Sequence, residues 1–172
     1  MPEKSLEELR SMVGQSRVTV ENFVVEPGKV EEFARAIDDR NPVHRSEEAA
    51  EERGFDAVPA PLTFTRVSRF PRYCPPDLSD ADRRGFDLGF DRRYTVHGDQ
   101  EYVYERPLLA GDTLTGTKTL VDVYRKEGGR GGTMTFAELE TEYRDEEGEL
   151  VLTERKTRIE TAGADEPATE EA

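Results

Sequence analysis

Tryptophan is absent from this chain of 172 residues, and cysteine and histidine are nearly so: Cys74, His44 and His97 are the only three. A single cysteine excludes an internal disulfide, and no Cys/His cluster has zinc-site spacing, so a reducing, cytoplasmic setting is expected, with neither metal nor cofactor. No apolar run approaches the roughly 20 residues of a membrane span, and the N-terminus is acidic and amphipathic rather than a signal peptide. Positive charge is also scarce. Lys and Arg total 24 against 38 Asp and Glu, a net charge of −14. That balance repels phosphate backbones and anionic lipid surfaces, which argues against nucleic-acid and membrane partners. The densest basic runs, Arg83-Arg84 and Arg92-Arg93, are interspersed with acids and read as solvated charges.

Of the 24 bases only five are lysines. High acidity with little lysine suggests a very salty cytosol, where a Debye length of roughly 3 Å screens the self-repulsion. Large aliphatic and phenylalanine side chains are few as well. Leu, Ile, Val and Phe together make up 36 positions, so any core is thin, and burial against a second subunit fits better than a self-sufficient monomer.

What is present reads as helices first and strands afterwards. Ser5 with Glu8 forms a capping box ahead of a short helix over residues 5–13. Residues 17–25 are rich in β-branched and aromatic side chains and predict a strand, with an alternation that slips near Asn22. Val30, Phe33, Ala34 and Ile37 share one face of a helix beginning near Lys29, and Pro42 stops it. Ser46 caps another short helix over 47–53. Residues 62–70 follow Pro59 and Pro61 and read as a central, largely buried helix, and 71–85 as a long loop. Strand-like segments then run over 86–90, 100–106, 113–124, 133–144 and 150–160. Turn signals at Gly111-Asp112, in the Gly-rich loop 128–132 and at 145–148 make them sequential antiparallel strands. The Gly-rich loop has no helix after it and no Lys-Ser/Thr ending, so it is a hairpin connection rather than a phosphate cradle. Residues 1–160 thus read as one α+β domain, followed by an acidic tail, 161–172, expected to be disordered.

With two histidines, a His-dependent mechanism has two candidates. His97 sits at a strand entrance and reads as structural, hydrogen-bonded near a sheet edge. His44 ends Asp39-Arg40-Asn41-Pro42-Val43-His44, where Pro42 breaks the helix. An Asp and a His on either side of such a turn could converge on one water, the imidazole being the side chain that ordinarily titrates near neutrality. Equally, Asp39 and Asn41 could do no more than satisfy the broken helix, leaving His44 an ordinary polar residue. Cys74 lies in a Pro-rich loop with no histidine at readable spacing and reads as a free thiol.

The six-residue stretch resembles the D-x-N-P-x-H signature of the MaoC-like dehydratases, the group that includes the (R)-specific enoyl-CoA hydratases. The segments from Ser46 through Gly54-Phe55 to Val58-Pro59-Ala60-Pro61-Leu62-Thr63-Phe64 are similar too. So are His97-Gly98-Asp99-Gln100-Glu101-Tyr102 and Arg106-Pro107-Leu108-Leu109-Ala110-Gly111-Asp112, which look like the N-terminal dehydratase-type members. The resemblance covers roughly residues 17–160. It implies a hot-dog fold, a curved antiparallel sheet wrapped around a central helix, paired as a homodimer or with another hot-dog chain. It further implies an acyl-CoA thioester substrate and reversible hydration of a 2-enoyl-CoA to a 3-hydroxyacyl-CoA. Asp39 and His44 would activate the water, and Asn41 would orient the turn.

One position departs from the pattern. Family hydratases commonly have His-Gly where this chain has Pro61-Leu62, and Pro61 has no N–H to offer a thioester oxyanion. Leu62 or Thr63 would have to donate instead. The Pro version resembles members that serve as the substrate-holding partner of a heteromer. A non-catalytic binding subunit is therefore the second expectation, and a hot-dog acyl-CoA thioesterase the third.

Overall fold

The computed structural model describes residues 2–79, 82, 85–128 and 132–161. The Arg83-Arg84 pair, the middle of the Gly-rich loop and residues 162–172 lie outside the described residues. Thr161, the first residue of the expected tail, donates from both its N–H and its hydroxyl to the Tyr94 carbonyl, at 2.9 and 3.0 Å.

The chain opens with helix α1 (Leu6–Ser11), whose capping box forms as the sequence predicts: the Ser5 hydroxyl accepts from the Glu8 N–H and the Glu8 carboxylate from the Ser5 N–H. Strand β1 (Ser16–Val24) leads to helix α2 (Pro27–Ala36), a 3-10 turn (Pro42–His44), helix α3 (Glu47–Glu51) and two further 3-10 segments (Phe64–Arg69 and Pro71–Tyr73). Four long strands follow: β2 (Thr95–Tyr104), β3 (Thr113–Glu127), β4 (Thr133–Arg144) and β5 (Leu150–Glu160). They form one antiparallel sheet in the order β1-β3-β4-β5-β2, with β1 and β2 at its edges. The slip in alternation near Asn22 is a register shift: Asn22 takes φ 50°, and pairing jumps from Val20–Gly116 to Phe23–Leu114. Such bulges bend a strand and increase its twist. This is the hot-dog fold.

Three expectations need correction. The central element over 62–70 is not a buried α-helix but a shorter 3-10 helix, Phe64–Arg69. Leu62 and Phe70 are 70% and 59% exposed, while Phe64, Thr65, Val67 and Ser68 are buried. Thr63, Thr65 and Val67 are stiff at χ1 and disfavour the α-helix, and the period of three aligns Phe64 with Val67 toward the sheet. Residues 86–90 form no strand: Gly85 and Gly89 adopt φ 113° and 62°, which breaks extended backbone on both sides of Phe86 and Leu88. Helix α3 also ends before 53, at Glu51.

Alternation along the strands turns Leu114, Gly116, Lys118 and Leu120 of β3 to the covered face, with Thr141 and Tyr143 of β4 and Leu152, Glu154 and Lys156 of β5. Two apolar clusters sit there. The larger is built on Phe23, Phe64, Tyr73 and Leu152, with the Phe23 and Phe64 rings stacked at 5.8 Å and Phe33 edge-on to Phe64 at 5.5 Å. The smaller, under α1, contains Leu9, Phe86, Leu88, Leu120, Val123, Ala137 and Leu139. Phe86 and Leu88, expected to be strand residues, thus serve as cover for the sheet.

Candidate active site

Helix α2 ends in a turn that fixes Asp39. The Asp38 N–H bonds the Arg35 carbonyl and the Asp39 N–H the Ala34 carbonyl at 2.8 Å, the paired bonds of a Schellman motif, with Asp38 in the left-handed region at φ 55°. The Asp39 Oδ1 then accepts from the Asn41 N–H at 2.9 Å, and the Asn41 side-chain oxygen accepts from the Val43 N–H at 3.3 Å, capping the 3-10 turn that carries His44. The Arg45 guanidinium reaches back to the Asp39 carbonyl. Buried Val43 anchors the turn to the body of the protein.

The two side chains meet. His44 Nε2 lies 3.3 Å from Asp39 Oδ2, with His44 13% and Asp39 34% exposed. His44 Nδ1 lies 2.7 Å from the Pro59 carbonyl oxygen. A carbonyl only accepts, so Nδ1 carries the hydrogen, and in the neutral ring Nε2 presents its lone pair beside the carboxylate.

Pro59 is itself held from the second half of the chain. The Ala60 N–H bonds Leu108 O and the Ala110 N–H bonds Val58 O, each at 2.8 Å, clasping the Pro59 segment to the 107–112 turn. Arg106 braces that turn: its guanidinium forks onto Asp112 at 2.8 and 3.0 Å and reaches Asp145 at 3.1 Å. These charge-assisted bonds hold the Arg106 guanidinium above its ordinary pKa, the contact with Asp112 being the largest cause.

Asp39, Asn41, His44, Leu62 and Thr63 all line one cleft of about 880 Å3, joined by Ile37, Phe55 and Tyr104. All five residues expected from the sequence are therefore brought together. Among the described residues, the Leu62 and Thr63 N–H groups donate to no protein acceptor, whereas the next N–H, of Phe64, bonds Pro61 O. The structure adds three groups that the motif does not contain: the Pro59 carbonyl, Arg45 and Tyr104. The Tyr104 hydroxyl donates to Leu62 O at 2.7 Å and so orients the start of the 3-10 segment. Burial holds its phenol well above the ordinary range. Its place on the covered face of β2, with Gln100 and Tyr102, is the signal that could have pointed to it.

His97 and Cys74 are not part of this cleft; both line a separate cavity. His97 does stand on edge strand β2, but it is exposed, and its ring makes no hydrogen bond among the described residues. The absence of a bond there corrects the expectation for its side chain. No group of three or more His, Cys, Asp or Glu able to hold a metal occurs among the described residues. No helix among them is long and apolar enough to cross a membrane.

The chain is similar to known proteins in sequence and in fold. The chain is 32% identical over 163 residues to a UPF0336 protein of Saccharopolyspora erythraea, covering 95% of this chain and 97% of that one. Among solved structures it is similar to a chain of the C-terminally truncated HadBC (3R-hydroxyacyl-ACP dehydratase) complex of Mycobacterium tuberculosis, with a TM-score of 0.66 and 28% identity over 86% of this chain and 96% of that one. It is also similar to a MaoC-like dehydratase, with a TM-score of 0.70 and 27% identity over 91% of this chain and 44% of that one. The family described as FAS1-like, dehydratase domain region matches residues 11–154, and the chain belongs to that family.

Proposed function

We propose that the protein is a hydro-lyase that adds water reversibly across the C2=C3 bond of a 2-enoyl thioester, an acyl-CoA, with Asp39 and His44 as the catalytic pair. The observation that carries this reading is the pairing of His44 Nε2 with Asp39 at 3.3 Å while Nδ1 is committed to Pro59. In the hydration direction, a water held by both groups bonds through its oxygen to C3 and gives a proton to Nε2. The C2=C3 electron pair moves toward the thioester oxygen, where the Leu62 and Thr63 N–H groups stand ready to donate. The Asp39–His44 pair then returns a proton to C2, so that H and OH are the only atoms added. Asn41 contributes by fixing the turn rather than by touching the reacting atoms.

The test is hydration of crotonyl-CoA, followed by loss of conjugated thioester absorbance at high salt. Asp39→Asn and His44→Ala are expected to lower the rate by about 10²–10⁴-fold. Rates equal to the parent protein in both variants overturn the assignment. Release of free thiol from the same substrate would support the thioesterase reading instead.

A second reading follows from Pro61, which has no N–H at the mouth of the cleft, and from the likeness to a chain of a heteromeric dehydratase complex. In that reading the chain holds substrate for a second hot-dog chain. Full activity of the chain purified alone removes it.

A further inference from the structure

Residues 59–63 form one wall of the Asp39–His44 cleft, and their backbone groups are committed one by one. Pro59 O receives the His44 Nδ1 hydrogen at 2.7 Å, the Ala60 N–H bonds Leu108 O at 2.8 Å, and Pro61 O accepts from the Phe64 N–H at 2.9 Å. Leu62 O accepts from the Tyr104 hydroxyl at 2.7 Å. Pro59 and Pro61 have no N–H. The donors of this wall that bond no protein acceptor among the described residues are therefore the N–H groups of Leu62 and Thr63.

Each of these two N–H groups is the far end of a peptide whose oxygen is already held. A trans peptide is planar, with its C=O and N–H pointing in opposite directions, so a bond at the oxygen also sets the direction of the N–H. It polarises the peptide as well, which strengthens the N–H as a donor. Pro61 O shares its peptide with the Leu62 N–H and is held locally, by Phe64. Leu62 O shares its peptide with the Thr63 N–H and is held from the far half of the chain, by Tyr104. Leu62 is 70% exposed, so without that bond its carbonyl is free to turn toward water, and a 3-10 segment of six residues has little dipole to put in its place.

Tyr104 is anchored well enough to act as a fixed point. It ends β2 opposite the fully buried Leu152 of β5, and the next N–H, of Glu105, bonds Val151 O at 2.9 Å. Burial, with Tyr102 and Glu154 acting in the same direction, raises its phenol far above the ordinary range, so the hydroxyl keeps the proton that it donates. From this geometry we infer that Tyr104 is a positioning residue: through Leu62 O it aims the Thr63 N–H at the thioester oxygen on which negative charge develops. The inference rests on the hydration reading of the same cleft. It gives Tyr104 a role in the transition state without contact with the reacting atoms.

The test compares the parent protein with Tyr104→Phe, which keeps the ring and loses the hydroxyl, and with Tyr104→Leu, which loses both; circular dichroism verifies folding. For crotonyl-CoA hydration, kcat is expected to fall about three- to tenfold while KM stays within about twofold, because the bond removed acts only as charge develops. Binding of butyryl-CoA, which develops no charge, should be unchanged, and binding of the enolate of acetoacetyl-CoA, followed by its absorbance, should weaken by the same factor as kcat. The parent kcat in whichever variant folds, or butyryl-CoA binding that falls in step with kcat, overturns the inference while leaving the hydration reading intact. Absence of hydration in the parent overturns that reading and the inference with it.

Discussion

His44 Nδ1 lies 2.7 Å from the carbonyl oxygen of Pro59, 15 residues further along the chain, and this one bond decides which face of the imidazole is available for chemistry. It leaves Nε2 toward Asp39 and the cleft. The candidate base is therefore set by a carbonyl that is in turn held by the 107–112 turn and braced by Arg106. A residue far from the cleft in sequence becomes part of how the cleft works.

Arg106→Met is accordingly expected to lower the thermal midpoint and to reduce crotonyl-CoA hydration further than the loss of folded protein explains. Three charge-assisted bonds disappear and the Pro59 carbonyl loses its support. Activity per folded molecule equal to that of the parent protein would show that the brace is dispensable.

Asp38 occupies the left-handed region at φ 55°, which a β-branched side chain avoids. Asp38→Val should cost about 1–2 kcal/mol of stability in urea unfolding and displace the neighbouring Asp39. Asp38→Gly, which accepts that backbone, should keep the rate of the parent. Equal behaviour of the two variants contradicts the turn geometry.

The folded-state pKa of Lys118 is held at about 8, mainly by burial, below its ordinary 10.5. Its neighbours are Glu154, which opposes the shift, and Arg69, Lys156 and Arg158. Below pH 8 folded and unfolded states both carry the proton, and the cost of burying it is present in full. Between pH 8 and about 10 the unfolded state holds more protons, so stability rises with pH, by an amount on the order of 3 kcal/mol at most. Lys156, lowered by burial and by Lys118, adds to the rise. Above pH 10 the trend reverses, because burial raises Tyr102, Tyr104 and Tyr143 and the folded state then keeps protons that the unfolded chain has lost. Urea unfolding across pH 7–10 should show the rise in the parent protein and a smaller one in Lys118→Met; parallel curves count against it.

A net charge of −14 should make the fold depend on salt. Raising KCl from about 0.1 M to about 2 M shortens the Debye length from about 10 Å to less than 3 Å, and the thermal midpoint should climb. A midpoint that stays constant removes the expectation of a salty cytosol.

Local chemistry was legible in advance wherever it acts within a few residues. The Ser5–Glu8 box, the cap at Ser46 and the alternation of β3, β4 and β5 are short-range effects, and they appear where the sequence puts them, whereas helix α2 is stopped not by Pro42 but earlier, at Ala36, by the left-handed turn at Asp38. The motif from Asp39 to His44 lies on one tight turn, so its two ends were bound to be neighbours. Residues 62–70 and 86–90 were misread because each is stabilised from outside. The first trades α-helix for 3-10 to set Phe64 and Val67 on the sheet, and the second gives up strand geometry so that Phe86 and Leu88 can cover the smaller core.

The sequence by itself determined the charge, the scarcity of nucleophiles, the order of elements and the one Asp/His turn, since each is a property of composition or of adjacent residues. Only the tertiary structure decided the rest: that Pro59 fixes the His44 tautomer, that Tyr104 reaches Leu62, and that arginines and lysines from separate strands and loops share one cavity. In a chain so acidic, the basic runs read as solvated charges. Strand pairing gathers other bases all the same, because the register of β2, β3 and β5 brings His97, Lys118, Lys156 and Arg158 onto one face, whatever the net charge of the whole.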